Sequence, residues 1–501
     1  MKRNSLTCTF QVIVAALFFR IAYPDDRAPI IPKAWDDAAL AGWHVPLAAS
    51  GAEPVPLTAE QFYRLPELKI YKSYPVYAPG KEPDGYMERL KQAEPELVFD
   101  ATGLRSDMDW IRAGELVFDA PVTISAIEGQ AYAKDAGWFR DHNVPIAKDE
   151  TVPFYRYIVR EKGKVEIGTL SCGNCHTRVL PDGTVVKGAQ GNFPRLQANA
   201  YILRKLRFSL EDKFVLSGIR SLLIHDFSTP WHKDDLNSRP NDMSLEDILA
   251  AIEAVPAGVT PCHNSSLFSP VQVPSLIGLR ERKYLDHTGH VLHREIGDLM
   301  RFEAFVQGNT MAGFGSYKLP AVMPGLVLHE RMSDAQLYAL ARYLYSLQPP
   351  RNPNRTSQLS RRGAQIFKRE GCDKCHTPPL YTNNSLTPAQ GFTPPAEHLT
   401  KYAITRVSVG TDPTLALKTR KGTGYYKVPS LRGVWYRGPF EHNGSVATLE
   451  EWFDPARVRD DYVPTGFKGY GVKARAVPGH EFGLKLNAAD KRALIAFLKS
   501  S

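Results

Sequence analysis

A chain of 501 residues with 43% hydrophobic side chains is too long for one ordinary domain and apolar enough to bury substantial cores, which excludes a disordered protein and points to two or three domains. Its formal charge of +9 is spread along the length without a Lys/Arg run that could track a phosphate backbone. Nucleic acid is therefore not an expected partner; an acidic protein or an anionic membrane surface is.

In chain order, Lys2 and Arg3 precede an apolar stretch from Leu6 to Phe19 that is too short for a bilayer span. Residues 1–22 read as a secretory signal peptide. The cleavage site is poor, with Arg20 close to the break after Ala22, so an uncleaved anchor that associates the N-terminus with a membrane is the alternative. Residues 23–104 are Pro-rich with scattered aromatics, match nothing else in the chain, and are expected to form an irregular extension.

From residue 105 onward four elements recur in one order. Arg112 to Phe118 parallels Arg361 to Phe367, each a short helical pattern ahead of a Cys-x-x-Cys-His pentapeptide. The pentapeptides follow, at Cys172-Gly173-Asn174-Cys175-His176 and Cys372-Asp373-Lys374-Cys375-His376. Next, Val273-Pro274-Ser275-Leu276 matches Val428-Pro429-Ser430-Leu431, with His287 opposite His442 and Gly289 opposite Gly444. Finally Ser333 to Leu347 parallels Asn487 to Leu498. Leu337, Leu340, Ala341, Leu344 and Leu347 form a helical stripe that starts on a Ser333/Gln336 capping box, and Asn487 caps the second copy. Val273 and Val428 stand 155 residues apart, and Ser333 and Asn487 stand 154 apart, a register hard to reach by accident. The copies differ in their inserts: 54 residues separate Phe118 from Cys172, and five separate Phe367 from Cys372. A further insert before Val273 carries the helical pattern Ser244 to Val255, and Pro349 to Pro353 forms a stiff linker between the copies.

Each pentapeptide has the chemistry of a covalent haem site. Two thiols three residues apart reach the two vinyl groups of one haem from a single turn, and the next residue is a histidine placed under the iron. A zinc site or a redox dithiol also uses Cys-x-x-Cys, but neither needs the histidine, and the two pairs lie 200 residues apart. Two covalently bound c-type haems are expected, one on Cys172, Cys175 and His176, the other on Cys372, Cys375 and His376. The expected fold is mainly α: two cytochrome c-like domains in tandem, residues 105–348 with long inserts and residues 349–501, behind the irregular extension. Attachment by this motif belongs to an exported, periplasm-like compartment. Cys262-His263 resembles a motif that lost its first cysteine and reads as a buried free thiol.

The sixth iron ligand decides whether a haem only moves electrons or also binds a substrate. All eight methionines lie at or before Met332, so the second copy cannot supply a His/Met iron from its own residues. Of His398, His442 and His480, the last sits in a Gly-His-Glu-Phe-Gly loop just before the final helix and is the expected partner of His376. In the first copy the matching loop carries Met323-Pro324, the way small class I cytochromes c supply a distal thioether; Met323 is a candidate ligand, and a core methionine is the other reading. If Met323 stays off the iron, that haem is open to hydrogen peroxide or dioxygen. His287, His290, His293, Glu295 and Glu303 are candidate proton handlers there, with His287 and Glu303 taken as the catalytic pair. Trp231 is either an electron bridge or a core side chain.

Two unequal haem-binding copies with Val-Pro-Ser-Leu segments resemble the bacterial dihaem cytochrome c peroxidase superfamily over roughly residues 105 to 501. The stretch from Val428 through Trp435 and Pro439 to Glu450, with Gly479 to Gly483, resembles its rubber-oxygenase-like branch. The resemblance implies catalysis at the haem of His176 and electron relay at the haem of His376, with a bis-histidine relay in that branch. It implies an electron-donor protein or small cytochrome as partner. Three functions follow: a peroxidase-like oxidoreductase, an electron-transfer cytochrome with both irons six-coordinate, or an oxygenase of an apolar substrate.

Overall fold

Each apolar helical pattern of the repeat folds as a helix, and the two copies pair their helices alike. In the computed structural model, which describes residues 29–207, 210–262, 264–308, 310–318 and 330–501, helix α1 (Asp107–Phe118) opens on a reciprocal Ser106/Asp109 cap. The next two helices used below are α2 (Ile296–Gln307) and α3 (Asp334–Ser346), the latter opening on the expected Ser333/Gln336 capping box. In the second copy α4 (Gln358–Arg369) and α5 (Ala488–Ser500) take the same roles, with Asn487 accepting from the Asp490 amide. α1 packs on α3 and α4 on α5 at equivalent glycines. A Cβ on Gly114 would stand 2.0 Å from the Ala339 carbonyl oxygen, and one on Gly363 2.0 Å from that of Ala493. The apolar stripes are buried there: Val117 and Phe118 against Leu340 and Leu344, Ile366 and Phe367 against Leu494 and Leu498.

The repeat persists in backbone conformation. The 3-10 turns Leu279–Glu281 and Val434–Tyr436 each follow a left-handed glycine, Gly278 (φ 74°) and Gly433 (φ 71°). Asp286 (φ 68°) and Glu441 (φ 70°) share the same rare conformation in the same register. The two copies also exchange bonds. The Gln272 amide donates to the His442 carbonyl (2.8 Å), and the Lys427 amide donates to the His287 carbonyl (2.7 Å). Buried Gln190 strengthens this seam: its Nε2 donates to Pro439 O (3.0 Å), and its Oε1 accepts from the Gly438 amide (3.0 Å) and from Gln272 Nε2 (2.8 Å).

The expectation of a mainly α protein holds in part: helix exceeds strand, but the chain is mixed, 36% helical and 15% strand. The difference lies largely in the insert before Cys172, which forms an antiparallel sheet in the order Ser73–Tyr77, Thr151–Glu161, Lys164–Leu170, Pro121–Ala126. The extension is also more ordered than expected. It lends Ser73–Tyr77 to that sheet, pairs Pro54–Pro56 with Met311–Phe314, and buries Trp35, Trp43 and Phe62 in the core beside Leu299, Met300 and Phe305. Each large apolar side chain so buried contributes roughly 1.5–3 kcal/mol, which makes the extension part of the core rather than an ornament. Among the described residues no helix is long and apolar enough to cross a membrane. The Leu6–Phe19 stretch, His263 and Met323 lie outside the described residues.

Candidate functional site

Both pentapeptides close as single turns, the His176 amide donating to Cys172 O (3.0 Å) and the His376 amide to Cys372 O (2.9 Å). Burial raises the pKa of all four thiols, that of Cys372 to about 12, so they are held un-ionised, which suits thioether formation better than a thiolate metal cage. The histidines are aimed from behind. His176 Nδ1 donates to the Pro274 carbonyl (3.0 Å), while His376 Nδ1 donates to Tyr381 O (3.1 Å). A carbonyl can only accept, so the proton sits on Nδ1 and Nε2 keeps the lone pair that a metal takes. The first Val-Pro-Ser-Leu segment thus acts on the site of His176 directly, because its Pro274 carbonyl fixes the histidine's tautomer, a task that Tyr381 O performs for His376.

His480 faces His376, with ring centroids 6.2 Å apart and planes at 56°. A metal–imidazole bond is about 2 Å and a ring centroid lies about 1 Å behind its nitrogen, so two histidines sharing one iron stand roughly 6 Å apart. The separation fits haem iron between them. The loop that carries His480 is clamped by buried Arg457, which donates to Trp452 O (2.9 Å), Val477 O (2.6 Å), Gly479 O (2.9 Å) and His480 O (2.9 Å). His480 is itself left-handed (φ 47°), and its ring is flanked by Trp452 and Phe482 at 5.2 Å each. Burial, then the neighbouring His376, lowers its pKa to about 4, keeping the ring neutral and able to ligate. The other two candidates are committed elsewhere: His398 Nδ1 to Tyr425 OH (3.0 Å) and His442 Nδ1 to Glu441 Oε1 (2.5 Å).

Around Cys172 the surroundings differ. Glu303, on α2, is 4% exposed, and neither carboxyl oxygen has a partner among the described residues. Burial raises its pKa well above the ordinary carboxylate range, and its charge would be felt at Cys172 and Tyr345. Burial thus favours its neutral, proton-bearing form. His293 is fixed between Arg282 O (2.8 Å) and Tyr345 OH (2.6 Å), and Glu295 is exposed. His290 is fully buried with both ring nitrogens unpartnered among the described residues, 5.1 Å from the ring of His44.

His287 lies elsewhere than expected. It lines the cavity that contains His376 and His480, and its Nε2 donates to Gln272 O (2.6 Å). Its proton is spoken for, and its place is the seam between the two copies. Trp231 packs on Phe314 (5.2 Å) rather than in that cavity, and the Cys262 sulfur, half-buried rather than buried as expected, accepts from half-buried Arg195 (3.0 Å). Sequence reasoning missed Pro274 and Tyr381 as orienting groups, the Arg457 clamp, and three cations beside the cavity, Arg282, Lys427 and Arg437. Two of these had a signal, since Arg282 and Arg437 stand 155 residues apart, in the register of the repeat.

Comparison with known proteins agrees with this chemistry. Residues 424–463 match a family model described as RoxA-like, cytochrome c-like. Over 189 residues the chain is 30% identical to Cytochrome-c peroxidase IdrP1 of Pseudomonas sp. (strain SCT), a stretch covering 34% of this chain and 45% of that protein. The chain therefore spans less than half the length of that curated relative. Among solved structures, hydrazine synthase of Kuenenia stuttgartiensis is 17% identical with a TM-score of 0.28, covering 57% of this chain and 87% of that one. A MauG-like protein associated with microbial copper homeostasis is 18% identical with a TM-score of 0.28, covering 46% and 72%. Over these stretches the chain is similar to a RoxA-like cytochrome c-like domain and to a cytochrome-c peroxidase, in keeping with its haem c attachment motifs.

Proposed function

We propose that the chain is an exported dihaem cytochrome with two tandem cytochrome c-like domains, residues 105–348 and 349–501, working as a peroxidase-like oxidoreductase. In this reading the site of Cys172, Cys175 and His176 is reactive, and that of Cys372, Cys375 and His376 relays electrons. The observation that carries the proposal is the inequality of the two sites. His480 stands 6.2 Å from His376 and takes the place a substrate would need, whereas the surroundings of Cys172 hold a buried acid without a partner among the described residues.

Haem c, when bound, supplies one-electron chemistry at its iron and, where a coordination position is free, a place for peroxide or dioxygen. The protein's own part follows from the geometry. His480, wedged between Trp452 and Phe482 and held by Arg457, shuts water and peroxide out of the relay site. Reducing hydrogen peroxide to two waters takes two electrons and two protons. Burial favours the protonated form of Glu303, and that proton can be given up to a more basic oxygen, the role of a general acid. His287 is better placed to brace the seam than to exchange protons, because its Nε2–H already donates to Gln272 O. The Pro274 carbonyl holds His176, and Pro274 also lines the cavity of His376, so a single short segment joins the two sites.

Steady-state reduction of hydrogen peroxide, with a reduced small cytochrome as electron donor, tests the reading. Turnover that saturates in both substrates supports it. Oxygen uptake with an apolar organic substrate and no peroxide turnover assigns oxygenase chemistry instead, and inertness in both assays leaves an electron carrier.

A further inference from the structure

The cavity at His376 is bordered by three cations from separate segments: Arg282 after the first Gly278 turn, Lys427 at the end of Tyr425–Lys427, and Arg437 after the second turn. None forms an ion pair among the described residues. Arg282 donates to the carbonyl of Ile277 (2.9 Å), five residues back. Arg437 donates to that of Arg432 (3.4 Å), also five back, and to Ser430 O (2.9 Å). Lys427 reaches Tyr284 O at 3.3 Å, and Arg437 Nε has no partner among the described residues. Of the nearby acids, Asp286 is taken by Lys421 (2.7 Å) and Glu441 by His442 (2.5 Å), while Glu281 beside Arg282 is exposed to solvent.

All three cations line the cavity, and they are close enough to disturb one another. Burial and then the neighbouring guanidiniums lower the pKa of Lys427 to about 7, and burial and then Arg437 lower that of Arg282 to about 10. Three cations gathered half-buried on one cavity wall are a poor arrangement unless anions complete it. Arg282 lines this cavity together with Pro274, whose carbonyl accepts from His176 Nδ1 (3.0 Å), so the cluster lies where the two sites meet.

We infer that Arg282, Lys427 and Arg437 form one carboxylate cradle that takes haem propionates at the junction of the two sites and thereby sets the reduction potential of the His376 haem. The inference rests on the dihaem reading above. One arginine comes from each copy at the same register, as a pseudo-twofold cradle requires, and planar guanidinium groups suit carboxylates. Removing a cation leaves propionate charge uncompensated, favours the ferric state and lowers the potential.

The experiment is a spectroscopic redox titration of the haem-loaded protein, with haem counted by the pyridine haemochromogen assay. Lys427→Met should lower the potential of the low-spin haem by at least a tenfold change in its equilibrium, about 59 mV for one electron, while Lys427→Arg stays near wild type. Arg437→Gln gives the same reading from another segment should Lys427→Met not accumulate. Unmoved potentials in both variants, with two haems and an intact low-spin spectrum, overturn the cradle alone. A wild-type protein without two haems or without a low-spin bis-histidine signal overturns the dihaem reading beneath it. A wild-type potential that moves tenfold on adding citrate at constant ionic strength assigns the cradle to a solution anion and overturns the propionate assignment.

Discussion

Gly363→Ala strikes the helix pair that closes the His376 site. The new methyl would meet the Ala493 carbonyl oxygen at 2.0 Å, its carbon at 2.7 Å and Phe497 Cβ at 2.6 Å. Two of these atoms are backbone, so α4 and α5 must separate by roughly 1 Å. A gap of that size forfeits a quarter to a half of the dispersion energy along the seam of Ile366, Phe367, Leu494 and Leu498. Overpacking and lost contact together cost on the order of 3 kcal/mol, a fall of roughly 6–12 °C in the melting temperature of a region of about 150 residues. Phe367, Leu494 and Leu498 also line the haem cavity, so the low-spin absorption should weaken in step. Thermal unfolding followed by circular dichroism, with the visible spectrum recorded alongside, measures both. Gly103→Ala, whose Cβ meets nothing within 4 Å, is the control and should change stability by less than about 0.5 kcal/mol. Wild-type melting of Gly363→Ala would refute the close-packed crossing.

Three further outcomes are expected. Lys421→Met removes one half of a buried ion pair whose side chains are 3% and 6% exposed, so unfolding in denaturant should show a loss of about 3–5 kcal/mol. Adding Asp286→Asn should recover much of it, since Asn tolerates the left-handed backbone there. Burial, opposed in part by Asp286 and reinforced by Lys421, holds the His290 pKa at about 4, below its unfolded value near 6.5. The unfolded chain therefore binds this proton first as pH falls: the stability is fully present above about pH 6.5 and is lost towards pH 4, about 3 kcal/mol in all. Denaturation midpoints across that window should fall less steeply in His290→Leu, and equal slopes would count against the assignment. Glu303→Gln should lower peroxide turnover by about 10²–10⁴-fold with little change in melting temperature, because the carboxyl it replaces is already neutral and unpartnered among the described residues. Unchanged turnover would remove Glu303 from the proton-donor role.

The features readable in advance were those carried by short local patterns. The pentapeptides, the Ser333 and Asn487 caps and the His480 loop needed only spacing and elimination, and His480 faces His376. The sheet was legible but passed over: Thr151–Glu161 is rich in aromatic and β-branched residues, a strand composition in a segment read only as an insert. His287 shows why periodicity cannot assign a residue to a site. The copies exchange backbone bonds through Gln272 and Lys427, so a residue numbered within the first copy is delivered to the cavity of the second. Arg457 carries no motif, because its four acceptors are backbone carbonyls that only the folded loop brings together.

Electron paramagnetic resonance of the haem-loaded protein, fully oxidised and then partially reduced, tests the inequality of the two sites most directly. The account predicts one low-spin signal from the His376 and His480 iron, lost in His480→Ala, and a high-spin or peroxide-responsive signal from the His176 iron in at least one of the two states. Two low-spin signals that ignore both peroxide and partial reduction would contradict it.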